Sequence, residues 1–451
     1  VIWQIPAPDG LSDKAWHLLD IFIVTISALI LNPLPMAAVA LVSIAVSVVT
    51  GTLTLSQGLS GFSDHIIWLV LIAFFLSSGF IKTGFGTRVA YHIIMRLGKT
   101  TLGLSYALVI VDFLLAPFIP SVTARGGGII FPIATALSAS YSKHHAKNID
   151  NKNGGFFMKV CFQSNVITSA MFVTSMAANP LAVKLAAEAG IDISWGIWAL
   201  AALVPGLLSL ALMPLCIYFL YPPTVIKSPD APEIAKAKLK ELGAISVKEM
   251  IMLLTFLFII ILWIFGGRWG LSATTVALLG LSILIIFRVV DVGDNLKDYG
   301  AWNTFIWFGT LLMISSFISS FGVIDWARDH ISSVLHIFPA SFAIVMLALS
   351  YFYIHYFFAS ATTHIAVLFP TFLALFVDVG MSGSLSALML SFLSILSSGL
   401  THFGLSSAPI YFGAGYMSAK KWWYIGFICS LLYIAVWTVS GGLWWRIIGL
   451  W

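Results

Sequence analysis

Two apolar runs, 102–116 and 129–137, meet at a stretch that a plain membrane span does not tolerate. The stretch holds Pro117, Pro120, Ser121, Val122, Thr123, Ala124, Arg125 and the triplet Gly126, Gly127 and Gly128. Each run is shorter than the roughly 20 apolar residues that cross a bilayer. Two half-spans joined in this way predict a re-entrant helical hairpin over 100–140. It enters the membrane, turns at mid-depth and leaves on the same side. Irregular backbone at that depth persists only where it is buried in protein or lines a watery cavity. Arg125 is costly in lipid, which marks it as a functional candidate.

The rest of the chain is as apolar as these runs. Hydrophobic residues make up 60% and charged residues 9%, at a mean hydropathy of +1.00. A soluble domain carries about 25% charged residues, so the chain reads as an all-α polytopic membrane protein whose solvent is the lipid bilayer. Its 16 Trp and 34 Phe suit interfacial belts and lipid-facing surfaces. The net charge of +5 is scattered over loops and gives no nucleic-acid signal. Cys161, Cys216 and Cys429 lie in apolar runs without pairing or ligand spacing, so no disulfide, metal or cofactor is inferred. No cleavable signal peptide is evident, and 1–15 reads as the tail of a truncated first span and an external loop.

Spans are expected near 16–31, 36–50 and 65–81, followed by an amphipathic interfacial helix over 82–99. After the hairpin come a polar loop at 142–153, a segment at 154–183 broken near Asn179 and Pro180, and a span at 195–221. Residues 222–248, with five lysines, form a cytoplasmic linker. The same order then recurs. Spans at 249–265, 273–290 and 302–320 precede an interfacial segment at 322–336, a second hairpin at 338–376, a broken segment at 384–411 and a last span near 422–445.

A shift of 239 residues lays Ile67 and Trp68 on Ile306 and Trp307, Ser121 and Thr123 on Ser360 and Thr362, and Arg125 on His364. Beyond the hairpins the shift is 229, which lays Ser169 on Ser398 and Pro180 on Pro409. Repeats of this kind, here 16–221 and 249–451, point to a secondary transporter. Loops at 82–99, 142–152, 222–248, 288–298 and 412–421 hold 16 of the 23 Lys and Arg residues. The positive-inside rule places them in the cytoplasm and makes the two repeats inverted.

All four Glu fall in loops or at span ends, and of the Asp only Asp112, and marginally Asp20, reaches membrane depth. The ionisable groups expected there are Arg125, His364, His355, His402 and Asp112. No metal motif, activated nucleophile or acid–base pair is found, which argues against a membrane enzyme. The polar groups concentrate at paired breaks rather than along a continuous face, which argues against a channel. A cationic or neutral site takes an anion. Ser121, Thr123, Ser360, Thr362 and Thr363 stand at the hairpin tips; Ser175, Asn179, Ser406 and Ser407 stand at the breaks. Half-helix N-termini offer free N–H groups and partial positive charge, and Arg can hold a carboxylate bidentately. A short dicarboxylate would bridge two facing tips.

Plainer roles compete with these. A hydroxyl in an apolar helix usually bonds its own backbone, Arg125 can staple carbonyls at the tip, and His364 can be a satisfied core histidine. Asp112 is expected to partner Arg125 or a helix end rather than touch ligand. His355, His402 and the cysteines are assigned to the core.

The tips resemble those of the divalent anion/sodium symporter family of di- and tricarboxylate carriers, whose mark is a Ser-Asn-Thr motif at each hairpin tip. Here the motifs read Ser121, Val122, Thr123 and Ser360, Ala361, Thr362. Trp16 with His17, the turn from Pro33 to Met36, and the run from Phe412 to Tyr416 are similar to that family too, so the resemblance spans essentially the whole chain. It implies a scaffold domain, a transport domain moving as an elevator, and a homodimer.

In sodium-coupled members the motif asparagines help build two sodium sites. Val122 and Ala361 stand in their place, with Arg125 and His364 each three residues on. This resembles the exchanger branch: plastid 2-oxoglutarate/malate translocators and bacterial citrate/succinate antiporters. The expectation is sodium-independent exchange of succinate, malate, fumarate or 2-oxoglutarate in a bacterial inner membrane, with the plastid inner envelope as alternative. Substrate is expected at Ser121, Val122, Thr123, Arg125, Asn179, Ser360, Ala361, Thr362, Thr363, His364, Ser406 and Ser407, with Arg125 and His364 also replacing the cations. The alternative is a sodium-coupled dicarboxylate symporter. An empty site is expected to leave Arg125 uncompensated and so to slow the empty carrier.

Overall fold

The computed structural model describes residues 2–31, 33–144, 152–228 and 230–451, and the side chains of these other than 2, 139–144 and 334. Residues 145–151 of the expected polar loop, Lys147 among them, lie outside the described residues. Among the described residues the chain is helical apart from an isolated antiparallel bridge between Thr100 and Lys227. Eight of these helices are long and apolar enough to cross a membrane.

Val247–Phe265 shows why such helices form and where they sit. Ser246 caps it by accepting from the Glu249 N–H at 3.2 Å, and the Glu249 carboxylate accepts the Ser246 N–H at 2.7 Å. Leu254, Leu257, Phe258 and Ile261 are exposed along one face, while Met252, Phe256, Ile259 and Trp263 are buried along the other. Apolar side chains on both faces, at helical spacing, describe a helix with protein on one side and lipid on the other.

The first hairpin uses shorter pieces. Thr101–Leu115 has 15 residues and spans about 22 Å, short of the bilayer core. Pro117 and Pro120 carry the chain across the tip, and Ser121 caps Val122–Arg125 by accepting from the Ala124 N–H at 3.1 Å. The return arm runs through a π-helical turn, Gly126–Ile130, into Phe131–His144. In the second half Ala340–Tyr353 descends, Ile354–Phe357 turns, and Ser360 caps Ala361–Asp378 through the Thr363 N–H. The two broken helices are Lys152–Met171 with Ala178–Glu188, and Gly383–Leu396 with Ala408–Gly413. Amphipathic helices Phe85–Leu97 and Val323–Leu335 precede the hairpins.

Packing between the halves is reciprocal. Met36–Val49 lies on Tyr299–Ser320, and Ala273–Ile286 lies on His65–Thr83. Ala178–Glu188 packs on Gly383–Leu396, and Ala408–Gly413 packs on Lys152–Met171. Trp195–Leu220 meets Ala419–Val436, its counterpart at the end of the other half.

The linker holds more order than its polar composition indicates. Asp230–Leu242 is a helix lying on Phe85–Leu97. Arg88 of Phe85–Leu97 donates to Glu249 at 2.6 and 3.2 Å and to the carbonyls of Leu242, Gly243 and Ala244. That buried pair ties the linker's end to the first span of the second half.

Candidate functional site at the hairpin tips and helix breaks

Arg125 is fully buried and all five of its N–H groups are engaged. Nε donates to Asp112 Oδ1 at 2.9 Å; Nη1 donates to the carbonyls of Ile119 at 2.8 Å and Ser175 at 2.9 Å; Nη2 donates to Ser169 Oγ at 2.7 Å and Thr168 Oγ1 at 3.3 Å. One side chain thereby joins the descending arm, the tip, the helix before the first break and the break itself. Asp112 also accepts from Thr168 Oγ1 at 2.5 Å and Asn165 Nδ2 at 3.2 Å. The expectation that an empty site leaves Arg125 uncompensated is therefore corrected. Asp112, in the last turn of the descending arm, neutralises the guanidinium without any ligand.

The first tip rests on the second break. Thr123 Oγ1 donates to Ser406 Oγ at 3.0 Å, Ser407 Oγ to Asn165 Oδ1 at 2.8 Å, and the Tyr411 hydroxyl to the Gly126 carbonyl at 3.2 Å. Gly126 makes this approach feasible, because a Cβ there would stand 3.0 Å from the Tyr411 oxygen and 3.3 Å from its ring. At the first break Asn179 Nδ2 donates to the carbonyls of Ser169 and Phe172, both at 2.7 Å, which the interrupted helix leaves free. Among the described residues its Oδ1 is buried without a partner.

At the second tip His364 Nδ1 and His355 Nδ1 are 2.7 Å apart, and His355 Nε2 is 3.1 Å from the Gly404 carbonyl. A carbonyl only accepts, so His355 carries its proton on Nε2 and His364 donates from Nδ1. In the neutral pair this leaves His364 Nε2 as a bare acceptor, buried with no partner among the described residues. Ser175 and Gly404 stand at matched positions under the 229-residue shift. The two matched basic residues thus reach matched carbonyls, Arg125 directly and His364 through His355.

Of the expected residues, Thr123 and Ser406 are exposed, and Ser121 and Ser360 are half-buried. Thr362, Thr363, Ser407, Asn179, Val122 and Ala361 are buried. Among the described residues no hydrogen bond joins the two tips; the second break connects them, through Ser406 to the first and Gly404 to the second. His402 sits at the edge, accepting from the Trp423 indole at 2.8 Å.

Sequence reasoning missed Asn165 and Thr168. The signal for both was present, since Ser164, Asn165, Thr168 and Ser169 form a polar stripe at helical spacing in an otherwise apolar segment.

Three comparisons with known proteins bear on the family and the fold. The family model described as "Sodium:sulfate symporter transmembrane region" matches residues 1–451. YflS of Bacillus subtilis (strain 168) is 49% identical over 452 residues, which cover 100% of this chain and 95% of that protein. Dicarboxylate transporter 1, chloroplastic, of Spinacia oleracea is 45% identical over 454 residues, 100% of this chain and 80% of that protein. Among solved structures, the Alcanivorax borkumensis YdaH transporter superposes with a TM-score of 0.57 at 12% identity, over 97% of this chain and 98% of that one. Neisseria gonorrhoeae MtrF does so with 0.60 at 11% identity, over 97% and 96%. These two share the fold. With the family model matching from end to end, the chain belongs to the sodium:sulfate symporter family, the divalent anion/sodium symporters that its tips resemble: integral membrane transporters, not enzymes.

Proposed function

We propose that the protein exchanges di- and tricarboxylates such as succinate, malate, fumarate or 2-oxoglutarate without sodium. The observation that carries this reading is the pair of matched basic residues, each tied to the carbonyl of a matched break position, beside tip positions that hold no asparagine. Hard cations take oxygen ligands. Val122 and Ala361 offer no side-chain oxygen, and the carbonyls of Ile119 and Ser175 already accept from the Arg125 guanidinium, which repels a nearby cation. Substrate carboxylates are held by the N-terminal N–H groups of the two return arms and the hydroxyls of Ser121, Thr123, Ser360 and Ser406. Arg125 fixes the first tip, and the His364–His355 pair fixes the second. The spinach relative's name, a dicarboxylate transporter, supports the substrate class.

Residues 16–221 and 249–451 form inverted repeats about the linker at 222–248, and the reciprocal packing of the halves supports that relation. The tips and breaks travel as one body against the outer spans, in a homodimer. Thermal melting of the purified protein with four- to six-carbon acids tests the reading. Succinate, malate or 2-oxoglutarate should raise the Tm equally in sodium and in choline salts. Stabilisation that appears only with sodium would establish the symporter alternative, and none in either salt would remove the substrate class.

A further inference from the structure

The descending arm of the second hairpin parts from the last span, Ala419–Ile447, and leaves an apolar groove. At the arm's tip end the two touch, with the hydroxyls of Tyr353 and Ser430 3.3 Å apart. Beyond that contact, Ile344 and Ala348 of the arm face Ile434, Thr438 and Gly442 of the last span across a cavity of about 510 Å³. Its floor is Leu385 and Phe392 of Gly383–Leu396. Ile434 and Gly442 are about 12 Å apart along their helix, room for a stretch of acyl chain.

The groove is held open. Trp437 and Trp445 wall it, and their indoles donate to Ser209 Oγ at 3.1 Å and to the Ala201 carbonyl at 2.9 Å. Both acceptors belong to Trp195–Leu220, so the rings are fixed from behind. The Phe392 ring packs on both, with centroids 4.8 and 6.1 Å away. A π-helical turn, Trp437–Gly441, shapes this side of the last span; such turns are rare and recur at functional sites. One residue on, a Cβ at Gly442 would meet only Trp451, at 3.5 Å.

The mouth opens on the bilayer. Phe342, Val345 and Met346 are exposed along the arm, and Val439, Leu443 and Ile447 along the last span. Apolar surfaces of this kind face hydrocarbon, so the occupant comes from the lipid phase. An acyl chain gains little by exchanging lipid for an apolar groove, so its retention needs close packing and a polar anchor. Arg446 supplies the anchor. It follows Gly442 by one turn on the same helix face. It is exposed and forms no ion pair among the described residues. Trp444, Trp445 and Trp451 cluster at the same end, as aromatic residues do at the headgroup level.

We infer that this groove is a phospholipid site: one acyl chain lies between the second hairpin's descending arm and the last span, and the lipid phosphate pairs with Arg446. A guanidinium takes phosphate oxygens bidentately. The site is independent of which solute the protein carries.

The test is native mass spectrometry of the detergent-purified protein with added dioleoyl phosphatidylglycerol or dioleoylglycerol, which has the same chains and no phosphate. Wild type should hold one phosphatidylglycerol per chain and prefer it to dioleoylglycerol about fivefold, the upper range for an exposed ion pair. Arg446→Gln should remove that preference and leave dioleoylglycerol binding unchanged. Gly442→Leu fills the groove at unchanged charge and should weaken both lipids about tenfold, the cost of overpacking. Ala348→Phe, which fills it from the opposite wall, replaces Gly442→Leu if that variant does not fold. Undiminished binding in the filled variant would overturn the inference. So would a wild type that binds no phosphatidylglycerol or does not distinguish the two lipids, or an Arg446→Gln protein that keeps the preference.

Discussion

Arg125 offers a substrate no free N–H, so at the residue scale its weight falls on holding the tip in shape. Removing one partner of a buried ion pair costs about 3–5 kcal/mol, whereas replacing both with apolar groups is often neutral. Asp112→Asn is therefore expected to lower the Tm markedly, and Asp112→Leu combined with Arg125→Met to recover most of it while transport stays lost. Melting curves of detergent-solubilised variants decide this, and an Asp112→Asn protein that melts like wild type would show that the pair does not hold the tip.

His355 bears a second prediction. His355→Phe keeps an aromatic ring at that position but removes the acceptor for His364 and the donor for Gly404. Transport should fall at least tenfold and its pH profile should shift, because His364 no longer has a fixed tautomer. An unchanged rate and profile would return His355 to the core role that its apolar sequence context indicates. Arg125 and His364 were legible in the sequence because a constant shift pairs them. Of their partners only Asp112 was legible, as an expected partner of Arg125; Ile119, Thr168, Ser169 and Ser175 reach Arg125 from several segments, and only the closed hairpin brings them to one point.

Elements were more legible than contacts. Half-spans bounded by proline, glycine and hydroxyls read as hairpin arms, and Asn179 with Pro180 marked a break that the structure places between Met171 and Ala178. The linker helix Asp230–Leu242 was not legible. Only Ala231 and Ala235 of it are buried, so its order comes from lying on Phe85–Leu97 rather than from its own apolar face.

The distal part of the first broken helix reaches the outer spans through charge. Lys184 pairs with Asp64 at 2.9 Å, and Ser316 donates to Glu188. If the tips and breaks move as one body, these contacts must open in every cycle. With the native cysteines replaced, Asp64→Cys with Lys184→Cys joined by a short bifunctional thiol reagent should stop most transport, and cleaving the link should restore it. Undiminished transport in the linked protein would show that Ala178–Glu188 does not move against His65–Thr83.

At the scale of the whole molecule, each half completes the other. The second element of each half packs on the third of its partner, and the broken helices pack on each other. The first tip closes on the second break. A site assembled this way belongs to neither half alone, and its two tips are the features that a constant shift made visible in the sequence. With Val122 and Ala361 at the tips, the site offers no motif side-chain oxygen for a metal cation.

The most direct test of sodium-independent exchange is uptake of radiolabelled succinate into proteoliposomes, with and without internal dicarboxylate and in sodium or choline buffer. Rapid uptake should require internal dicarboxylate and proceed equally in both buffers; fast uptake into empty vesicles, or a steep requirement for sodium, would contradict it.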